Sequence, residues 1–422
     1  MADFMVNDSD LFLDSFFVAR QPVFKTDLEV WGYELLFRNS AVSSAAVIGD
    51  QDAATSQVIA DGFGLIQEDL GKGQRLLVNF PRNMILEDAA DLLPPDVCVV
   101  EILENVDPDK KVLGALGRLK ENGYVLALDD YVGQEGFEPF IELADIVKVE
   151  CLGRSREELS ELAARLYKYK VTLLAEKVED SKMFEFCKEL GFELFQGFFF
   201  SRPEIVPGKK ISTSNLNRMR MLKAVSGEDF NVDDLSRVIN SEVSISYRLL
   251  RFMNSPTFGL DQTIKSIKQA IVLIGHKKLA GWLRIILMSD MCAGPAGSEL
   301  AFLSIKRAKF LELLAREKCC SCLSPESMFL LGLFSLLDVL MGRPMQELLK
   351  ELPIGDELVQ GLTRKNPDAA LWLDLVDAFE KADWNRLGKL IEENKISALA
   401  VARNHMAAMQ WANEVVLLNR ME

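Results

Sequence analysis

Val125-Leu126-Ala127-Leu128-Asp129-Asp130 is the stretch on which the fold turns. A short apolar run of Val, Leu and Ala entered through Asn122-Gly123 predicts a buried strand, and this one stops on two adjacent carboxylates. Unpaired charge at a buried strand end is too costly to keep without a purpose. The pattern recurs on both sides. Leu76-Leu77-Val78 ends on Asn79, residues 97–100 end on Glu101, and Ile146-Val147 ends on Lys148. Residues 171–175 end on Glu176, and Leu194-Phe195 ends on Gln196. Polar groups at successive strand ends predict a TIM-like parallel α/β barrel with an active site on its C-terminal rim.

Upstream, residues 16–24 and 29–37 read as two strands joined by a turn, the second placing Glu34 and Arg38 four residues apart. A helix is expected over 51–70, and helices near 109–122, 156–168 and 182–190 alternate with the strands, the βαβ signal. Downstream, Pro203, Pro207 and Gly208 mark a boundary. Beyond it the periodicity is helical almost throughout, with segments such as 325–341, 369–380 and 384–393. The expected organisation is a flexible lead-in (1–15), a barrel domain (16–203), a linker (204–214) and an all-α domain (215–422). At 422 residues two domains are natural, since single cores stop growing near ~250–300 residues.

A net charge of −15 argues against DNA or RNA as partner, which requires a basic footprint. The cysteine group Cys319, Cys320 and Cys322 lacks zinc-ligand spacing and has no histidine nearby, so reduced thiols are expected. Residues 1–14 are acidic and do not read as a signal peptide, and the apolar stretch 270–288 is broken by His276-Lys277-Lys278 and Arg284. A cytoplasmic protein with no membrane partner is expected.

Glu34, Asn79, Glu101, Asp129 and Asp130 offer the oxygen ligands that suit Mg²⁺ or Mn²⁺. So many acids on one rim repel one another unless cations neutralise them. Two ions per site can clamp a phosphodiester and acidify an attacking water. Lys148 can orient that water, or deprotonate it if its pKa is depressed, and Arg38 can grip a phosphate bidentately.

These residues resemble the EAL domain, a barrel family of cyclic di-GMP phosphodiesterases. The signature Glu-Ala-Leu reads Glu34-Leu35-Leu36, with the phosphate-binding Arg at Arg38 and the early Gln-Pro motif at Gln21-Pro22-Val23. The resemblance implies metal ligands at Glu34, Asn79, Glu101, Asp129, Asp130 and Glu176, and catalytic roles for Glu34, Lys148 and Glu176. It implies substrate contacts from Gln21, Arg38 and Gln196, with Glu104 and Glu179 as loop supports. Glu101-Ile102-Leu103-Glu104, Asp129-Asp130, Ala175-Glu176-Lys177-Val178-Glu179 and Gln196-Gly197-Phe198 carry it. Two departures stand out: Leu35 puts a larger side chain beside the first ligand, and the loop after the Asp pair reads Tyr131-Val132-Gly133-Gln134-Glu135-Gly136.

The helical part resembles the HDOD module, on Leu235–Asn240, Tyr247–Ser255 and Ile264–Ile271. Its two histidines, His276 and His405, lack the adjacent Asp of an HD hydrolase, so a non-catalytic output or regulatory role is expected. The resemblance as a whole implies cyclic di-GMP hydrolysis to the linear dinucleotide, protein partners at the helical faces, and a homodimer as an open possibility. The alternative is a catalytically silent nucleotide receptor or interaction scaffold.

Overall fold

The computed structural model describes residues 16–39, 70–71, 73–199, 213–226, 235, 239, 245–248, 267–291, 297–317, 323–350, 352 and 354–420. The expected lead-in, all but the last residue of the expected 51–70 helix, most of the linker and Cys319, Cys320 and Cys322 lie outside these residues. The chain divides into two compact units, one comprising Met1–Arg202 with Asp377–Ala402, the other Pro203–Val376 with Arg403–Glu422. Residues 377–402, expected to run on with the helical domain, therefore group with the barrel.

In the first unit, β1 (Phe16–Lys25), β2 (Val30–Asn39), β3 (Arg75–Phe80), β4 (Cys98–Ile102), β5 (Val125–Leu128), β6 (Ile146–Glu150), β7 (Thr172–Glu176) and β8 (Leu194–Gln196) close a barrel in sequence order. β1 is antiparallel to both of its neighbours, and every other pairing is parallel. The β1–β2 hairpin turns through Leu28 at φ +66°, closed by Lys25 N–H donating to Glu29 O at 2.8 Å.

The intervening helices are α1 (Arg82–Leu86), α2 (Lys110–Glu121), α3 (Glu138–Leu143), α4 (Arg156–Tyr167) and α5 (Ser181–Glu189). Their starts are written in the sequence. The Asp109 carboxylate accepts from Lys111 N–H at 2.8 Å to begin α2. Ser155 and Glu158 form a reciprocal capping box on α4, and Asp180 accepts from Met183 N–H at 2.8 Å to begin α5. Each such cap is worth about 1 kcal/mol.

Val23, Leu77, Val99, Ala127, Ile146, Leu174 and Leu194 fill the barrel as one apolar cluster. Gly32 completes this level beside Val23. A Cβ there would stand 2.5 Å from Arg75 O, so only glycine lets β2 approach β3 this closely.

In the second unit, α6 (Thr213–Ser226) takes up the last residues of the expected linker. α7 (Ile267–Ile274) and α8 (His276–Met291) follow, separated by Gly275 at φ +87°. α9 (Gly297–Arg316) comes next. The stretch 325–341 is two helices rather than one, α10 (Pro325–Phe334) and α11 (Leu337–Met341), because the Ser335 hydroxyl donates to Gly332 O at 2.7 Å and ends the first. The chain continues through α12 (Met345–Leu349), α13 (Asp356–Leu362), α14 (Pro367–Glu380), α15 (Trp384–Glu393) and α16 (Ala398–Arg420). No described helix is long and apolar enough to cross a membrane.

Candidate active site

Side chains two residues apart on a strand share a face, so the residues two steps rimward of the apolar cluster form the next inward level. These are Gln21, Asn79, Glu101, Asp129, Lys148, Glu176 and Gln196, with Glu34 above Gly32. Every strand contributes one polar group.

Lys148 sits at the centre and is 1% exposed. Its Nζ lies 2.8 Å from Glu101 Oε1, 2.7 Å from Asp129 Oδ1, 3.0 Å from Glu176 Oε1 and 3.5 Å from Glu34 Oε2. Gln196 Nε2 donates to Glu34 Oε2 at 2.6 Å and to Gln21 Oε1 at 3.0 Å. Gly197 follows at φ +150°, and a Cβ there would lie 2.1 Å from Val178 O. Asn79 is the register partner of Glu101 on the neighbouring strand.

Four carboxylates face one ammonium, and the electrostatics show the imbalance. Burial, foremost, pushes Glu101 well above the usual carboxylate range, with Glu34 and Asp129 adding repulsion to what Lys148 relieves. Glu176 is pushed up to about 8, again first by burial. For Lys148 the largest single influence is burial, which lowers it; Glu101, Glu176, Glu34 and Asp129 together outweigh that and hold it well above the ordinary lysine value. The depressed pKa that a lysine base requires is therefore absent from this arrangement. Glu101 Oε2 and Glu176 Oε2 are buried and accept no hydrogen bond among the described residues.

A second acidic group adjoins the first. Carboxylate oxygens of Glu104, Asp129 and Asp130 lie within 4.8 Å of one another. Asp130 adopts φ +43°, a region Asp tolerates better than most residues. Glu104, expected to brace the loop, is exposed, with a carboxylate oxygen in this group. Asp129 is common to both groups. The chemistry of the donors fits divalent cations: hard oxygens, surplus negative charge and orphaned buried acceptors.

Leu35 does not crowd Glu34. Alternation turns it to the opposite face of β2, where it is 2% exposed between Arg20 and Val78 in register. The loop after Asp130 is anchored by Tyr131, whose side chain is buried and whose N–H donates to Lys148 O at 3.0 Å. Glu179 is exposed just before α5. The backbone of Arg38 lies in β2, and its side chain falls outside the described residues. Gly197 stands in the Gln196-Gly197-Phe198 motif, whereas the sequence assigns Gly32 no role; its only signal is a glycine two residues before Glu34.

Family models match the EAL domain over residues 78–203 and the HDOD domain over 213–352. The uncharacterised Bacillus subtilis protein YuxH is 33% identical over 407 residues, covering 95% of this chain and 98% of its own. The chain belongs to the EAL–HDOD family. Another relative of this EAL–HDOD protein, named cyclic di-GMP phosphodiesterase CdgJ, from Vibrio cholerae, is 30% identical over 406 residues, covering 94% of this chain and 93% of its own. Among solved structures, an EAL domain protein from Listeria monocytogenes is 18% identical with a TM-score of 0.38, over 47% of this chain and 94% of that one.

Proposed function

We propose that the barrel of this EAL–HDOD protein hydrolyses cyclic di-GMP to the linear dinucleotide with two divalent cations, Mg²⁺ or Mn²⁺, and that the helical region is a non-catalytic output or regulatory module. The observation that carries this is the inward polar level, where four buried or half-buried carboxylates crowd one buried lysine and leave acceptor oxygens unpaired. The name of the Vibrio cholerae relative supports the choice of nucleotide.

Glu34, Asn79, Glu101, Asp129, Asp130 and Glu176 would hold the cations, with Glu104 joining them at the rim. Bound there, divalent cations neutralise the phosphodiester and acidify the attacking water. The water oxygen bonds to phosphorus, one phosphorus–oxygen ester bond breaks, and the leaving sugar oxygen takes up a proton. Gln21 and Gln196 present amides to the nucleotide from adjoining strands, and Arg38 supplies a fixed positive charge to the phosphate. Lys148 orients the nucleophile.

Among the described residues of the helical unit, no group of histidines, cysteines and acids could hold a metal ion. His276 opens α8, and His405 is buried with its ring 5.4 Å from that of Phe310. The alternative, a receptor without turnover, rests on the family-divergent loop built on Tyr131.

Incubation of the full-length protein with cyclic di-GMP and Mn²⁺, with product followed by chromatography and binding by calorimetry, tests the reading. Linear product is expected, falling by about a thousand-fold in Glu34→Gln with the fold intact. Binding without product would make the barrel a receptor, and neither would leave it a scaffold.

A further inference from the structure

Between them, the two ends of the first unit's sequence hold a contact that neither family model covers. β1 pairs with β8 only from Val23 to Lys25, and β2 pairs with β3 only from Gly32 to Leu35. Among the described pairings, residues 16–22 and 36–39 are thus a two-stranded ribbon rising past the barrel wall. A lone ribbon is marginal in water unless something packs on its face.

That face is occupied. Phe17, Ala19, Gln21 and Val23 alternate onto one side of β1, the side that carries Val23 into the core and Gln21 into the polar level. Phe17, the register partner of Arg38, is 0% exposed. Its ring meets Phe379 at 5.7 Å and Trp384 at 6.2 Å, and these two meet each other at 5.6 Å. Between them in sequence, Lys381 lies over the Phe198 ring at 5.4 Å, just after Gln196-Gly197. The end of α14 and the start of α15 therefore touch both chain segments that carry the hydrogen-bonded pair Gln21 and Gln196. All these residues belong to the first unit.

We propose that Phe379 and Trp384 are positioning residues for the nucleotide site: they brace the free end of the β1–β2 ribbon and so fix Gln21 and the backbone of Arg38 against Gln196. This rests on the nucleotide reading above and adds to the site a segment far outside the barrel sequence. Clusters of three aromatic rings are rigid, and misplacing a substrate-gripping strand by even 1 Å costs affinity steeply.

The test uses the full-length chain with Phe379→Ala, Trp384→Ala and the conservative Phe379→Leu. Two readouts are taken: hydrogen exchange at amides 17–21 without nucleotide, and cyclic di-GMP binding with Ca²⁺ alongside turnover with Mn²⁺. The alanine variants are expected to speed exchange in the ribbon while β4–β7 stay protected. They should raise KM and weaken nucleotide binding by about ten-fold or more, with kcat changed by less than about three-fold. Phe379→Leu should restore most of the affinity. Unchanged ribbon exchange, or loosened exchange with unchanged affinity, overturns the proposal, and so does tighter binding, which would make the segment a cover over the site. A wild-type chain that binds no nucleotide fails the reading above instead, and the exchange experiment distinguishes the two.

Discussion

Lys148 in the barrel and Asp290 in the helical unit each anchor a cluster of opposed charges, and the two are built on different terms. Asp290 accepts a bidentate pair from Arg248, at 2.7 and 2.8 Å, with Arg218 Nε 3.5 Å away. One acid meets two guanidinium groups on side chains that keep 16–22% of their surface exposed, so water screens the surplus in part. At Lys148 the surplus is acidic, buried and unscreened. A cluster with a small surplus that water still reaches can hold a fold together. A buried cluster left in deficit is built to receive something of the opposite sign.

The strongest way to break this contrast is to remove the lysine at the centre of the acids. Lys148→Met in metal-free protein at pH 8 should lose about 3–5 kcal/mol of stability by urea unfolding, the usual range when a buried charge loses its partner. Mn²⁺ should recover much of it. No loss would mean that the carboxylates are not in conflict.

A smaller effect comes from acidity. Burial, foremost, holds Glu176 protonated up to about 8 in the folded barrel, against 4.5 ordinarily. A carboxyl raised on folding binds its proton more tightly in the native state, so its stability contribution is complete below the unfolded value and lost as pH rises through the folded one. The melting temperature of metal-free protein should therefore fall between pH 5 and about pH 9, and Mn²⁺ should flatten the decline. A flat profile without metal would contradict the crowding of acids. The smallest change belongs to the cluster around Asp290. Asp290→Asn should cost about 2 kcal/mol, typical of a hydrogen bond to a charged group, with no metal dependence, and a loss as large as that of Lys148→Met would erase the distinction.

The candidate site was legible because it repeats. From β3 to β8 a polar residue stands two steps beyond an apolar one, although β3, β4 and β6 run on past it, and the period of two survives in short runs such as Ala127-Leu128-Asp129. The starts of α2, α4 and α5 were equally plain, since Asp109, Ser155 and Asp180 are local signals. The direction of Leu35 was missed because adjacency in sequence was taken for adjacency in space. The state of Lys148 could not be read at all, since burial and four acids pull it oppositely and only distance decides. The allegiance of residues 377–402 escaped for another reason. α14 has the same helical pattern as its neighbours, and nothing in Phe379 or Trp384 names a partner more than 350 positions earlier.

The seam between β1 and β8 has a consequence for how the molecule is made. Because Val23–Lys25 can join only Leu194–Gln196, a chain emerging from the ribosome carries its first strands unclosed until β8 has been synthesised. Phe17 then waits for Phe379 and Trp384. Translation runs from the amino end, and contacts between distant residues form late. The ribbon, among the first parts to be translated, is thus among the last to be packed, and the growing polypeptide carries Phe17 uncovered until the start of α15 has been made.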